Sequence, residues 1–151
     1  IYDSDVNPFT DQGLFNNVKG KPNIALIAFT RDGDVFGGFY NVAVTEQWKG
    51  FEDPNMFVFS FESHGRCKTP KRFMVKAEVK DKKYVMFYRG HSFGRFVDFG
   101  GDCGCFFLGN EKSETWCYDL SWGFEGINNS TLTGKNCEGF VCTRIVAVQL
   151  N

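Results

Sequence analysis

Apolar and polar residues fall in short runs along the chain, each closed by turn residues. Ile24 to Phe29 is the longest apolar run. It is apolar on both faces, which predicts a central strand. Asp32-Gly33 follows as a hairpin-turn signal, and Val35 to Val44 returns as the partner strand. Gly37 and Gly38 inside that partner predict a bulge or a close backbone approach. Trp48 to Pro54 reads as a loop. From Met56 to Phe61 the period is strict: Phe57, Phe59 and Phe61 share one face, and Met56, Val58 and Ser60 share the other. Further strands are predicted over 72–77, 84–88, 95–99, 105–108, 116–120 and 140–150, with a short edge strand at 2–5. Lys80 to Lys83 and Gly100 to Gly104 read as turns, and residues 123–139 as a long loop rich in Gly, Asn, Ser and Thr.

Helical spacing occurs once. Leu14, Phe15 and Val18 lie on one face of a helix predicted over 11–19. Thr10 is its cap, Phe9 is placed to staple onto Leu14, and Gly20 suits a left-handed stop. Many short strands with one early helix predict a mainly β (α+β) domain. It has two antiparallel sheets packed as a β-sandwich, with one or a few short flanking helices. No internal repeat or linker divides residues 1–151, so one domain is expected. The chain begins at Ile1 with no initiator Met, which reads either as a domain cut from a longer protein or as a trimmed chain.

Composition narrows the function classes. The chain is 42% hydrophobic with 18 Phe, enough for a substantial core. Its net charge of −1 argues against a duplex-binding protein. No apolar run approaches the ~20 residues of a membrane span, so no membrane insertion is expected. Six cysteines are present, but the chain is rich in large apolar residues and shows no secretory signal. Most thiols are therefore expected reduced, in a cytoplasmic protein. Asn128 and Asn129 each begin a glycosylation-type sequon, which matters only for a secreted protein.

Candidate chemistry is sparse. Tetrahedral zinc takes nitrogen and sulfur ligands, which makes His64, Cys67, Cys103 and Cys105 a conceivable set. Strand alternation would send Cys103 and Cys105 to one face, and an exposed pair would be redox-sensitive. Cys67 with His91 can be drawn as a nucleophile–base dyad, although nothing in the spacing compels it; solvated loop histidines are the simpler reading. No Gly-x-Ser-x-Gly elbow occurs, Asp32-Gly33-Asp34 lacks the rest of a calcium loop, and Gly100-Gly101-Asp102 leads to no phosphate-binding helix. No catalytic residue, resident metal or cofactor is therefore expected, and a small-molecule substrate is not indicated. Lys68, Lys71, Arg72 and Lys76 with Phe73, and then Lys80, Lys82 and Lys83, form small basic stretches of the kind that face solvent. Trp48 and Trp122 fall in predicted loops, where an exposed Trp makes a good interface anchor and, equally, can simply cap one end of the sandwich. The 123–139 loop can carry binding specificity.

Four stretches, in order, resemble the TLDc family of oxidation-resistance proteins. They are Ile1-Tyr2-Asp3-Ser4-Asp5 with the helix ending at Lys19-Gly20; Ile24-Ala25-Leu26-Ile27 through Asp32-Gly33-Asp34-Val35-Phe36-Gly37-Gly38; Met56-Phe57-Val58-Phe59-Ser60-Phe61; and Asn129-Ser130-Thr131-Leu132-Thr133 followed by Phe140 to Leu150. The family pattern is departed from at Gly100 to Cys105, at Gly126-Ile127 and at Ala147-Val148-Gln149, which marks a divergent member. The resemblance implies a β-sandwich with flanking helices and a noncatalytic protein-interaction module in the oxidative-stress response. It also implies a link to the V-type proton ATPase, with subunits of that pump as protein partners. Trp48, Trp122 and Asn129 are the candidate contact residues. A thiol-redox or zinc-dependent protein using Cys103 and Cys105, and a nucleic-acid-binding regulator, are the alternative readings.

Overall fold

The structure is a computed structural model describing residues 1–136 and 138–151. Cys137, one of the thiols expected reduced, lies outside the described residues. In chain order the elements are β1 (Tyr2–Asp3), α1 (Asp11–Val18), β2 (Ile24–Thr30), β3 (Val35–Tyr40), β4 (Phe51–Glu52), β5 (Phe57–Glu62), β6 (Lys71–Met74), a 3-10 helix (Ala77–Lys82), β7 (Tyr84–Phe87), β8 (Arg95–Phe99), β9 (Cys105–Gly109), β10 (Cys117–Tyr118), α2 (Leu120–Gly123) and β11 (Cys142–Gln149). Two antiparallel sheets result. The first runs β1-β11-β2-β3-β5-β6 and the second β10-β9-β8-β7-β4. The fold is the predicted β-sandwich.

The core lies between the sheets and is largely aromatic. Phe36 meets Phe106 edge-on at 5.4 Å and Phe140 at 5.3 Å, and Phe99 stacks on Phe106 at 5.1 Å. Such contacts add about 0.5–1.5 kcal/mol each beyond their buried area. The Gly37-Gly38 pair explains how rings fit on both sides of β3. A Cβ on Gly38 would lie 2.3 Å from the Phe99 ring, and one on Gly37 would lie 2.8 Å from the Phe59 ring and 1.8 Å from the Leu26 carbonyl oxygen. Each glycine leaves room for one phenylalanine, Gly38 toward the core and Gly37 on the outer face. This is the close approach that the sequence predicted.

Helix α1 starts where expected, with the Gly13 amide donating to Thr10 Oγ1 at 3.0 Å. Leu14, Phe15 and Val18 are buried, and Phe15 packs on Phe87 at 5.7 Å. Phe9 pairs edge-on with Phe96 of the second sheet, at 5.8 Å. Gly20 takes the expected left-handed conformation at φ 72°.

Several predicted boundaries move. The β3 strand ends at Tyr40 rather than Val44. The Trp48–Pro54 loop contains β4, only two residues long and too short to show a period. Strand β6 stops at Met74 because Ala77 begins a 3-10 helix, and the 116–120 strand shrinks to β10 because Asp119 turns left-handed at φ 45° and opens α2. Residues 124–136 are a loop, but a fastened one: Phe124, Ile127 and Leu132 are buried.

Arg66 does much of that fastening. Its guanidinium pairs with buried Asp34 beside the β2–β3 turn and donates to the carbonyls of Thr131 and Leu132, each at 3.0 Å. Arg66→Ala is expected to cost about 2–3 kcal/mol, since it leaves Asp34 buried without its cation. Amide exchange at residues 131–134 should rise more than anywhere in β2 or β3. Exchange monitored by mass spectrometry checks this, and uniform change across the chain would contradict it.

Candidate functional site

Trp48 forms a fixed aromatic platform at the rim of the second sheet. Its backbone sits left-handed at φ 60°, and its amide donates to the Phe87 carbonyl at 2.8 Å. Indole Nε1 donates to the Arg89 carbonyl at 2.9 Å. The ring lies parallel to His91 with centroids 5.6 Å apart, and meets Tyr88 at 4.9 Å. His91 also touches Tyr88 and Phe93. Burial, and then the nearby Arg95 charge, hold the His91 pKa below its ordinary value, so the imidazole is neutral at physiological pH. Trp48 remains 55% exposed despite these restraints. A side chain fixed in this way has lost its rotamer freedom before any partner arrives, which lowers the entropic cost of binding.

Trp122 lies in the short helix α2, not in a loop, and is 68% exposed. Asn129 plays a supporting part. Its side-chain oxygen accepts from the Leu120 amide at 2.8 Å, so it satisfies a donor in the first turn of α2 and braces the helix that displays Trp122.

The thiols do not behave as the strand period suggested. Gly104, at φ 95°, sits in the turn before β9 and breaks the alternation. Cys103 is half-buried in that turn, whereas Cys105 is buried in β9. Burial and then the Asp98 charge push the Cys105 thiol well above its ordinary range, the opposite of a reactive thiolate. The zinc set does not assemble either: no three His, Cys, Asp or Glu side chains are grouped to hold a metal among the described residues. His64 Nε2 lies 2.8 Å from the Asp32 carbonyl, beside the β2–β3 turn. Cys67 follows β5 in the first sheet, and His91 follows β7 in the second. The basic stretches lose members to the interior as well, because Phe73 and Lys83 are both buried.

Lys83 is a residue that sequence reasoning placed in a solvated turn and the fold places inside. It is fully buried, with Nζ donating to the carbonyls of Cys103 at 2.6 Å and Gly104 at 2.7 Å, and lying 4.6 Å from the Phe124 ring. Desolvation pulls its pKa down to about 8. Asp98 is buried on the neighbouring strand; burial raises its pKa to about 6, with the Asp102 charge acting in the same direction. Unfolded, its carboxyl titrates near 3.8. Between those values the folded chain binds the extra proton, so stability contributed by this group rises as pH falls through 6 and is held below about 4. Acidification from about pH 7 to about pH 4.5 should stabilise the wild type by about 2 kcal/mol relative to Asp98→Asn. Urea titrations of both proteins at the two pH values check the sign; parallel behaviour would contradict it.

The outer face of the first sheet is a surface the sequence showed without locating. Phe57, Phe59 and Phe61 point away from the core, because Met56, Val58 and Ser60 point into it. Phe39 stacks on Phe57 at 5.0 Å and Phe59 lies 4.7 Å from Phe61. With Ala25, Ile27, Val148 and Leu150 these rings line an open groove of about 430 Å³, closed at one end by Pro70, Lys71 and Arg72. A run apolar on both faces was the available signal: a strand buried on one side has no need of phenylalanine on the other.

No helix among the described residues is long and apolar enough to cross a membrane. No curated protein matches the chain. A family model for the TLDc domain does match, over residues 1–136. With the match spanning the helix, the Gly37-Gly38 hairpin and every strand but the last, the chain belongs to the TLDc domain family.

Proposed function

We propose that this TLDc domain is a noncatalytic protein-interaction module of the oxidative-stress response, acting in the cytoplasm on subunits of the V-type proton ATPase. The observation that carries the reading is the Trp48 platform, a half-exposed indole held by one side-chain hydrogen bond and two ring contacts on a backbone fixed by a second hydrogen bond. Exposed, preorganised Trp side chains are characteristic binding anchors. Three groups with strongly shifted pKa values support the same reading. Lys83, Asp98 and Cys105 are buried, and none of them is among the residues that line the outer-face groove.

The test is affinity capture from cytosol by the purified chain, with mass spectrometry of the retained proteins. Proton-ATPase subunits are expected in the retained fraction. Trp48→Ala or Trp122→Ala should reduce their recovery roughly tenfold, in keeping with an anchor worth more than 1 kcal/mol. Cys103→Ser should leave recovery unchanged. Recovery that depends on Cys103 and disappears under reducing conditions would overturn the reading in favour of thiol chemistry.

A further inference from the structure

From the outer face of the first sheet we infer that the domain binds an amphipathic helix carrying acidic residues at one end. This rests on the protein-interaction reading and names a surface and a ligand class for it. The face is continuous across β11, β2, β3, β5 and β6. Five strands at ~4.8 Å spacing make a floor about 19 Å across. A helix of about 13 residues spans that distance at ~1.5 Å per residue. A sheet face that is apolar on its outer side is completed by a layer of helix in the general architecture of layered folds. Exposed apolar surface of this kind marks an interaction site.

Charge selects the acidic partner. Arg72, opposite Phe59 in the sheet, lies over the Phe57 ring at 5.7 Å at the β6 end of the groove, whereas the Lys71 ammonium turns to the other side of the strand, over the Phe73 ring at 5.3 Å. Arg72 is in no ion pair among the described residues, whereas Arg66 and Arg144 each pair with aspartate. Val148 and Leu150 at the opposite end are apolar. An apolar trough with a guanidinium at one end matches a helix with one apolar face and Asp or Glu near one terminus. A second copy of the chain matches it poorly: a twofold axis lays the Arg72 end of one copy over either the other's Arg72 or its Val148 and Leu150, and neither arrangement brings a carboxylate of the groove lining to the guanidinium.

The test pans a phage-displayed library of random peptides about 14 residues long against the purified 151-residue chain. Enriched peptides are expected to carry apolar residues at i, i+3, i+4 and i+7 with Asp or Glu at one end. A synthetic peptide of that consensus should bind at least about tenfold more weakly to Phe61→Asp and to Arg72→Glu, with Arg72→Glu regaining affinity for the version bearing Lys in place of the acid. Phe61 is 51% exposed and Arg72 is exposed, and thermal melting checks that both variants keep the fold. Four results would overturn the proposal: no enrichment; an alternating apolar pattern, which indicates strand addition at β6; selected peptides without acid whose binding ignores Arg72→Glu; or a dimer in sedimentation that Phe61→Asp dissociates. Each leaves the cytosolic capture experiment intact. A partner retained through Trp48 would uphold the module while this groove failed, so the two failures are distinguishable.

Discussion

Gly37→Ala should abolish folding, and Gly38→Ala should cost about 3 kcal/mol, the upper end of what overpacking usually does. At Gly37 the obstacle is backbone. The new methyl would sit 1.8 Å from the Leu26 carbonyl oxygen, and β3 cannot retreat, because β2 and β5 flank it. At Gly38 the obstacle is the Phe99 ring at 2.3 Å, which is fully buried and stacked on Phe106, so it has nowhere to rotate. Gly139→Ala is the control: its nearest neighbour would be 3.4 Å away, and a change within about 0.5 kcal/mol is expected. Soluble yield and urea denaturation report all three. Equal stability of Gly38→Ala and Gly139→Ala would refute the two-ring account of this strand.

Lys83→Ala should destabilise the protein by about 3 kcal/mol. The substitution strands the Cys103 and Gly104 carbonyls, each worth about 1–3 kcal/mol when left buried and unbonded, and it opens a cavity beside Phe124. Relief from burying a charge offsets part of that loss. Lys83→Met, which keeps the stem and sheds the charge, should therefore lie between wild type and Lys83→Ala. The same ammonium stands against Gly123, where an added Cβ would be 2.2 Å from Nζ. Lys83 thus couples the turn before β9 to α2, and amide exchange over 103–105 and 120–124 should accelerate together in Lys83→Ala. Acceleration in only one of the segments would separate them.

The parts of the fold legible in the sequence are those governed by local period and turn chemistry. Asp32-Gly33 announced its hairpin, and Gly33 is left-handed there at φ 90°. Thr10 announced its helix. The strict alternation of Met56 to Phe61 announced β5, yet alternation is symmetric and does not say which face is inside. That depended on Phe36, Phe99 and Phe106 filling the space between the sheets. Lys83 was illegible for a related reason. A lysine in a run of lysines reads as solvent-facing, and only the meeting of the Cys103–Gly104 turn with α2 supplies the two carbonyls that permit its burial. Cys103 and Cys105 looked like a pair because the period of two was extended across Gly104, where the chain turns. Trp48 was legible as an anchor, but its fixed orientation rests on Arg89 and His91, some forty residues further on.

The pairing order of the first sheet has a consequence for biosynthesis. Strand β11 lies between β1 and β2, and joins Tyr2 to Ala147 and Ile24 to Gln149. The ribosome delivers β2 more than a hundred residues before its neighbour, a delay of about 5–20 s at ordinary elongation rates. Throughout that interval the most apolar strand of the protein has one bare hydrogen-bonding edge, next to a second bare edge at β1. Nascent chains are exposed there to mispairing with one another, and a chaperone that shields extended apolar segments would find its substrate at Ile24 to Thr30. Slowed decoding within β11 should therefore lower the yield of native protein more than the same slowing within β3, whose two neighbours, β2 and β5, are both close in sequence.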